Sequence, residues 1–285
     1  MTTPALHDDH DDFGGLHRDL LATGAAMDRR GLLRLAARFG VAASALQLLG
    51  CGGSSPTSPS DTTTDTGTST GTTTGSGACN TRIPQETAGP YPGDGSNGPD
   101  VLGLTGVARS DIRPSFAGLS GTADGISLTI ALTIVSTSTC EPLAGRAVYL
   151  WHCDRLGRYS LYSAGATDQN YLRGVQEAGT SGTVTFTSIF PGCYSGRWPH
   201  IHFEVYPSLS GATNVANKIA TSQIALPKAA CDEVYATAGY ETSVTNLSRV
   251  SLATDNVFSD GSALELATIT GSVSGGLTAA LTVAV

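Results

Sequence analysis

The sequence predicts an all-β fold, a β-sandwich of two packed sheets with long loops. Three observations carry that expectation. Several short runs alternate apolar residues with Ser and Thr, the period of a half-buried strand. The runs recur at close intervals with Gly and Pro between them, as in a sandwich rather than a repeat of strands and helices. Only 14% of the 285 residues are charged and 6% aromatic, a composition that suits an exported, Ser- and Thr-rich β protein.

The strands follow in order. In Ile126 to Ile134 the Ile and Leu side chains share one face, and Ser127, Thr129 and Thr133 share the other. Ala147 to His152 forms a second strand, entered through the turn Pro142-Leu143-Ala144-Gly145. Gly182 to Ile189 forms a third, Pro199 to Tyr206 a fourth and Ile219 to Leu226 a fifth. The end of the chain, Leu281 to Val285, reads as another. Ala229 to Ala238, just after Pro227, reads as a helix placed to cover a sheet edge.

These elements fall within residues 78–285, expected to be one domain. Residues 52–77 are almost purely Ser, Thr, Gly, Pro and Asp, with nothing to bury, and read as a flexible tether. Residues 1–51 read as an export signal. Arg29-Arg30 with Leu32 and Leu33 resembles a twin-arginine motif, and the apolar stretch from Phe39 to Leu49 is too short to span a bilayer. That stretch ends in Leu48-Leu49-Gly50-Cys51, which resembles a lipobox with Cys51 as the lipidated residue. Met27 offers an alternative start. The expected location is the outer face of a bacterial membrane, reached by the twin-arginine route, with the lipid as the sole membrane contact.

The net charge of −8, with Lys218 and Lys228 the only lysines, argues against nucleic acid as a partner. An oxidising compartment permits disulfides, and spacing suggests Cys140–Cys153 and Cys193–Cys231. No cysteines stand at zinc-type C-x-x-C spacing.

The chemistry concentrates in Pro199-His200-Ile201-His202-Phe203-Glu204-Val205-Tyr206. On a strand, His200 and His202 share one face about 7 Å apart at Cα, near enough to chelate one ion. Ile201, Phe203 and Val205 take the core face. Tyr194 and Arg197 stand just upstream, and Tyr159 follows the turn after Trp151-His152. Tyr162 is a rival oxygen donor read as packing, and His152 reads as a satisfied core histidine. A hard ion such as Fe(III) prefers anionic oxygen donors and draws the proton from a bound phenol.

Three motifs together resemble the intradiol ring-cleavage dioxygenases, the family of catechol 1,2-dioxygenase and protocatechuate 3,4-dioxygenase. They are W-H-x-x-x-x-G-x-Y ending at Tyr159, Ile189-Phe190-Pro191-Gly192-Cys193-Tyr194, and Arg197-Trp198-Pro199-His200-Ile201-His202. The likeness extends over about residues 84–227. It implies non-haem Fe(III) held by Tyr159, Tyr194, His200 and His202. It makes Tyr194, Arg197 and Gln223 catalytic, and it places Gly89, Pro90 and Tyr91 beside the substrate. The implied reaction opens a catechol between its hydroxyls with dioxygen, giving a cis,cis-muconate-type diacid. Where the family commonly reads R-P-A-H-x-H, this chain reads R-W-P-H-I-H, which puts Trp198 on the expected pocket wall. Two other readings remain: a non-catalytic β-sandwich binding module on the cell surface, and a copper enzyme using the histidines alone.

Overall fold

The computed structural model describes residues 79–285. The twin-arginine segment, Cys51 and the tether lie outside the described residues. Two four-stranded sheets face each other. The first has the order β4-β1-β8-β7, formed by β1 (Ser127–Val135), β4 (Thr183–Ile189), β7 (Thr268–Ser272) and β8 (Gly276–Ala284). The second has the order β3-β2-β5-β6, formed by β2 (Ala147–Trp151), β3 (Arg173–Glu177), β5 (His200–Tyr206) and β6 (Ala220–Ala225). The pair β1–β8 is parallel and every other strand pair is antiparallel.

The alternation in β1 does what the sequence requires of it. Leu128, Ile130, Leu132 and Ile134 are all fully buried and pack into one cluster with Val148 and Leu150 of β2 and Ile201, Phe203 and Val205 of β5. That cluster is the layer between the sheets, closed by burial of apolar surface on both inner faces. α1 (Lys228–Tyr235) buries Ala230, Cys231, Val234 and Tyr235 against it, and α2 (Glu241–Leu247) follows. Among the described residues no helix is long and apolar enough to cross a membrane.

The second sheet is covered on both faces: all residues of β2, β5 and β6 are buried. Its outer face carries Tyr149 and Trp151, with Glu204 and His202 opposite them across the β2–β5 pairing, and Gln223 opposite His202 on β6. Loops from residues 85–109 and 152–172 enclose that face, so its polar side chains need internal partners.

The disulfide is Cys79–Cys140, with Cα atoms 5.4 Å apart. The pairings read from spacing are incorrect. Cys140 precedes β2 and Cys153 follows it, so the two lie at opposite ends of a strand about 17 Å long, beyond the reach of a disulfide. Cys153, Cys193 and Cys231 are buried free thiols. The observed bridge spans a sequence separation of 61 and fastens the start of the described chain to the turn after β1. Cys79→Ser is expected to lower unfolding free energy by about 2–4 kcal/mol, measured by denaturant titration.

Candidate metal centre

Each candidate donor is set by its own loop or strand. The turn carrying Tyr159 is built on Asp154. Its carboxylate accepts the Leu156 and Arg158 N–H groups at 2.9 and 3.0 Å, the Arg158 side chain at 2.9 Å and the Tyr171 hydroxyl at 3.1 Å. Gly157 turns the chain at φ +81, and a Cβ there would sit 2.9 Å from the Tyr194 Cβ. Only glycine permits that approach, which brings the two tyrosine loops together. The Tyr194 loop is fixed by α2: Cys193 N–H donates to Ser243 Oγ at 2.9 Å, and Asn246 Nδ2 donates to the Cys193 carbonyl at 2.8 Å.

The four side chains meet at one point. His200 Nε2 lies 3.1 Å from His202 Nε2, 3.2 Å from Tyr194 Oη and 3.4 Å from Tyr159 Oη. Tyr159 Oη lies 3.2 Å from His202 Nε2. Hydrogen bonding alone accounts poorly for this. His200 Nδ1 donates to the Trp198 carbonyl, so Nε2 holds one lone pair, and three polar atoms crowd around it. A cation at the centre would resolve the crowding. Donors about 2.0–2.1 Å from a common centre, at angles of about 90–110°, lie about 3.0–3.4 Å apart. Among the described residues no group of three or more His, Cys, Asp or Glu gathers to hold a metal, so this donor set needs its tyrosines.

Electrostatics suit the same purpose. Burial, and then the Arg197 charge, push His200 down to about 3; burial, and then His200, push His202 well down. Both imidazoles are therefore neutral donors near pH 7. Burial, and then the neighbouring Tyr194, drive the Tyr159 phenol well above its ordinary range, so without a cation it keeps its proton. Trp151 stacks on His202 with ring centroids 4.9 Å apart and planes 5° apart, fixing the plane of that imidazole.

Comparisons with known proteins bear on family and fold. The Dioxygenase family model (Dioxygenase_C) matches residues 97–200, a span that includes Tyr159, Tyr194, Arg197 and His200. An intradiol ring-cleavage dioxygenase from Tetranychus urticae is 26% identical over 72% of this chain and 94% of that one, with a TM-score of 0.58. The chain is thus similar to intradiol ring-cleavage dioxygenases, in the segment the family model matches and in its fold. A second dioxygenase crystal structure is 25% identical over 71% of this chain and 93% of that one, with a TM-score of 0.55. No curated protein sequence matches the chain.

The remaining candidates divide. Arg197 is 3% exposed; its Nη2 donates to Gln223 Oε1 at 2.7 Å, and Gln223 Nε2 donates to the Thr87 carbonyl at 2.9 Å. Gly89 lies on the ring of His202, where a Cβ would come within 3.3 Å of Cε1. Pro90 is half-buried beside it, and the Tyr91 ring packs on Tyr159 with centroids 4.9 Å apart. Trp198, expected on the pocket wall, is 4% exposed in the inter-sheet core and donates Nε1–H to the Leu226 carbonyl at 2.9 Å. Tyr162 is not a donor to the centre: its hydroxyl accepts from Gly93 N–H at 2.9 Å and donates to the Asn97 carbonyl at 3.1 Å. His152 is buried with Nε2 2.6 Å from Ser188 Oγ, and burial pushes it down to about 4, so it is a neutral core residue.

Two residues of the site have no local signature in the sequence. Asp255, fully buried, accepts from Arg197 Nε at 3.0 Å, Trp198 N–H at 2.7 Å and Val257 N–H at 2.9 Å. Arg173, 1% exposed, spends all five N–H groups inward: on the Tyr91, Pro92 and Ser160 carbonyls, the Ser160 hydroxyl and the Tyr149 hydroxyl. It thereby ties the Tyr91 segment to the Tyr159 loop.

Proposed function

We propose that this protein is a non-haem Fe(III) enzyme that opens a catechol-type ring between its hydroxyls with dioxygen, yielding a cis,cis-muconate-type diacid. The observation that carries the reading is the convergence of two phenol oxygens and two neutral imidazole nitrogens: His200 Nε2 lies 3.1–3.4 Å from the other three atoms, and Tyr159 Oη lies 3.2 Å from His202 Nε2. Tyr159, Tyr194, His200 and His202 would hold the metal. When bound, ferric iron would gather both catechol oxygens and make the ring reactive toward dioxygen. Two phenolates and two neutral imidazoles leave one positive charge to attract an anionic chelate.

The chain's own groups supply the rest. Tyr194 is the half-exposed member of the four, whereas Tyr159, His200 and His202 are buried. It is the phenol that can turn away and accept the proton of a substrate hydroxyl, since a released phenolate recovers the high pKa of a phenol. Arg197, aligned by Asp255 and Gln223, places a fixed positive charge where negative charge develops on the ring. The Tyr91 ring packs over Tyr159 on that face, with centroids 4.9 Å apart.

Purified protein is expected to carry one iron, to be red-brown, and to consume oxygen on a catechol panel with muconate-type products. A colourless protein with stoichiometric zinc would refute the reading. A second expectation concerns protons. Ferric binding near pH 7 should release one proton from each tyrosine that becomes a phenolate ligand and none from the histidines, so affinity rises with pH. A pH-stat titration of metal-free protein measures this, and release near zero would remove the tyrosines from the ligand set. Export with a lipid at Cys51 belongs to the same proposal; the Cys79–Cys140 disulfide supports an oxidising compartment.

A further inference from the structure

We infer that this site takes catechols whose ring carries no anionic substituent. The inference rests on the ring-cleavage reading above and concerns the end of the substrate remote from its hydroxyls. Two partly exposed stretches of chain adjoin the donor set. One is the half-buried segment Thr87 to Tyr91, and the other is Tyr194 with the exposed Ser195 and Gly196. Gly89 touches His202, and Tyr91 packs on Tyr159 and, at 5.3 Å between centroids, on half-buried Tyr162. This rim holds phenols, a proline and small residues, and none of its members is a cation.

Among the described residues, the arginines near the site already have partners. Arg158 pairs with Asp154 at 2.8 Å and Arg155 with Asp124 at 2.7 Å. Arg173 has no N–H left to give. Arg197 is held by Asp255 and by Gln223, the cross-strand neighbour of His202, so its charge faces the hydroxyl end of a bound ring. The ionisable residue next to the rim, Glu86, carries the wrong sign. A ring carboxylate would give up its water for phenol O–H donors at most and find no cation to neutralise it, whereas a neutral substituent of the same size would lose little.

The test uses iron-loaded full-length protein and four substrates: catechol, 4-methylcatechol, 3,4-dihydroxybenzamide and 3,4-dihydroxybenzoate. The amide matches the carboxylate in size and differs in charge. The expected kcat/KM for the benzoate is about 100-fold below that of the amide, with the amide within about tenfold of catechol. A deficit under tenfold overturns the inference. Anaerobic spectral titration of the same four ligands should rank affinities in the same way. If no ligand is turned over, the ring-cleavage reading fails, while the ratio of benzoate to amide affinity still decides the charge inference. Ser195→Lys, which adds a cation at the rim, should raise the benzoate-to-amide ratio at least tenfold. An unchanged ratio would show that the rim does not set the preference, and would overturn it.

Discussion

Tyr194→Phe is expected to keep its iron and lose turnover by about 100- to 10,000-fold, the range associated with removal of a positioned acid–base group. The substitution removes one oxygen and keeps the ring, so the edge contacts of that ring with Tyr159 at 5.8 Å and His200 at 5.6 Å survive. No cavity opens, and three donors remain on Tyr159, His200 and His202. Iron content measured on the purified variant should therefore stay near one per chain, and the colour should weaken and shift as one phenolate is lost. Tyr159→Phe should behave differently. Its oxygen lies 3.2 and 3.4 Å from the two histidine nitrogens and its ring is 1% exposed, so removal empties the buried side of the donor set. Iron affinity should fall first in that variant. Equal turnover in Tyr194→Phe and the parent would show that another group receives the substrate proton.

Much of this arrangement is legible in the sequence, and the legible part has a common cause. The His200–His202 pair, the core face of β5 and the alternation of β1 are local patterns of period two, and period two fixes which face a side chain takes. What escapes the sequence depends on partners distant along the chain. β3 reads Arg-Gly-Val-Gln-Glu and carries no alternation; it is a strand because β2 pairs with it. β7, Thr268–Ser272, is almost wholly exposed, so no apolar face announces it. Cys140 pairs with Cys79 across a separation of 61, not with the nearer Cys153, because β2 separates that nearer pair. Trp198 precedes the first strand residue, so the parity that places the histidines does not govern it. Asp255 is separated from Arg197 by 58 residues and has no motif around it, yet it sets the arginine's orientation.

Asp255→Ala should destabilise the protein by about 3–5 kcal/mol, the cost of leaving one partner of a buried ion pair uncompensated. Arg197 and Asp255 are 3% and 0% exposed in their side chains, so water cannot replace the lost carboxylate. The N–H groups of Trp198, Val257 and Phe258 lose their acceptor as well. Against the ~5–15 kcal/mol typical of a domain, the variant should fold with a reduced denaturation midpoint. Asp255→Asn separates charge from shape. Its amide oxygen can still accept the Val257 and Phe258 N–H groups, so stability should fall less, but the arginine loses its counter-charge and its two-point alignment. Turnover should then fall in both variants, and only Ala should show the full stability loss. The pH dependence gives an independent check. Burial alone would raise the Asp255 pKa, but Arg197 and the Trp198 N–H outweigh it and hold the carboxyl below its ordinary value. A depressed carboxyl contributes stability above its unfolded pKa of about 3.9 and loses it as pH falls through the lower folded value. The parent should therefore shed this contribution only below about pH 4, and Asp255→Asn should lack that acid limb. Retention of the limb in Asp255→Asn, measured by denaturant titrations between neutral and acid pH, would show that the ion pair is not the stabilising element.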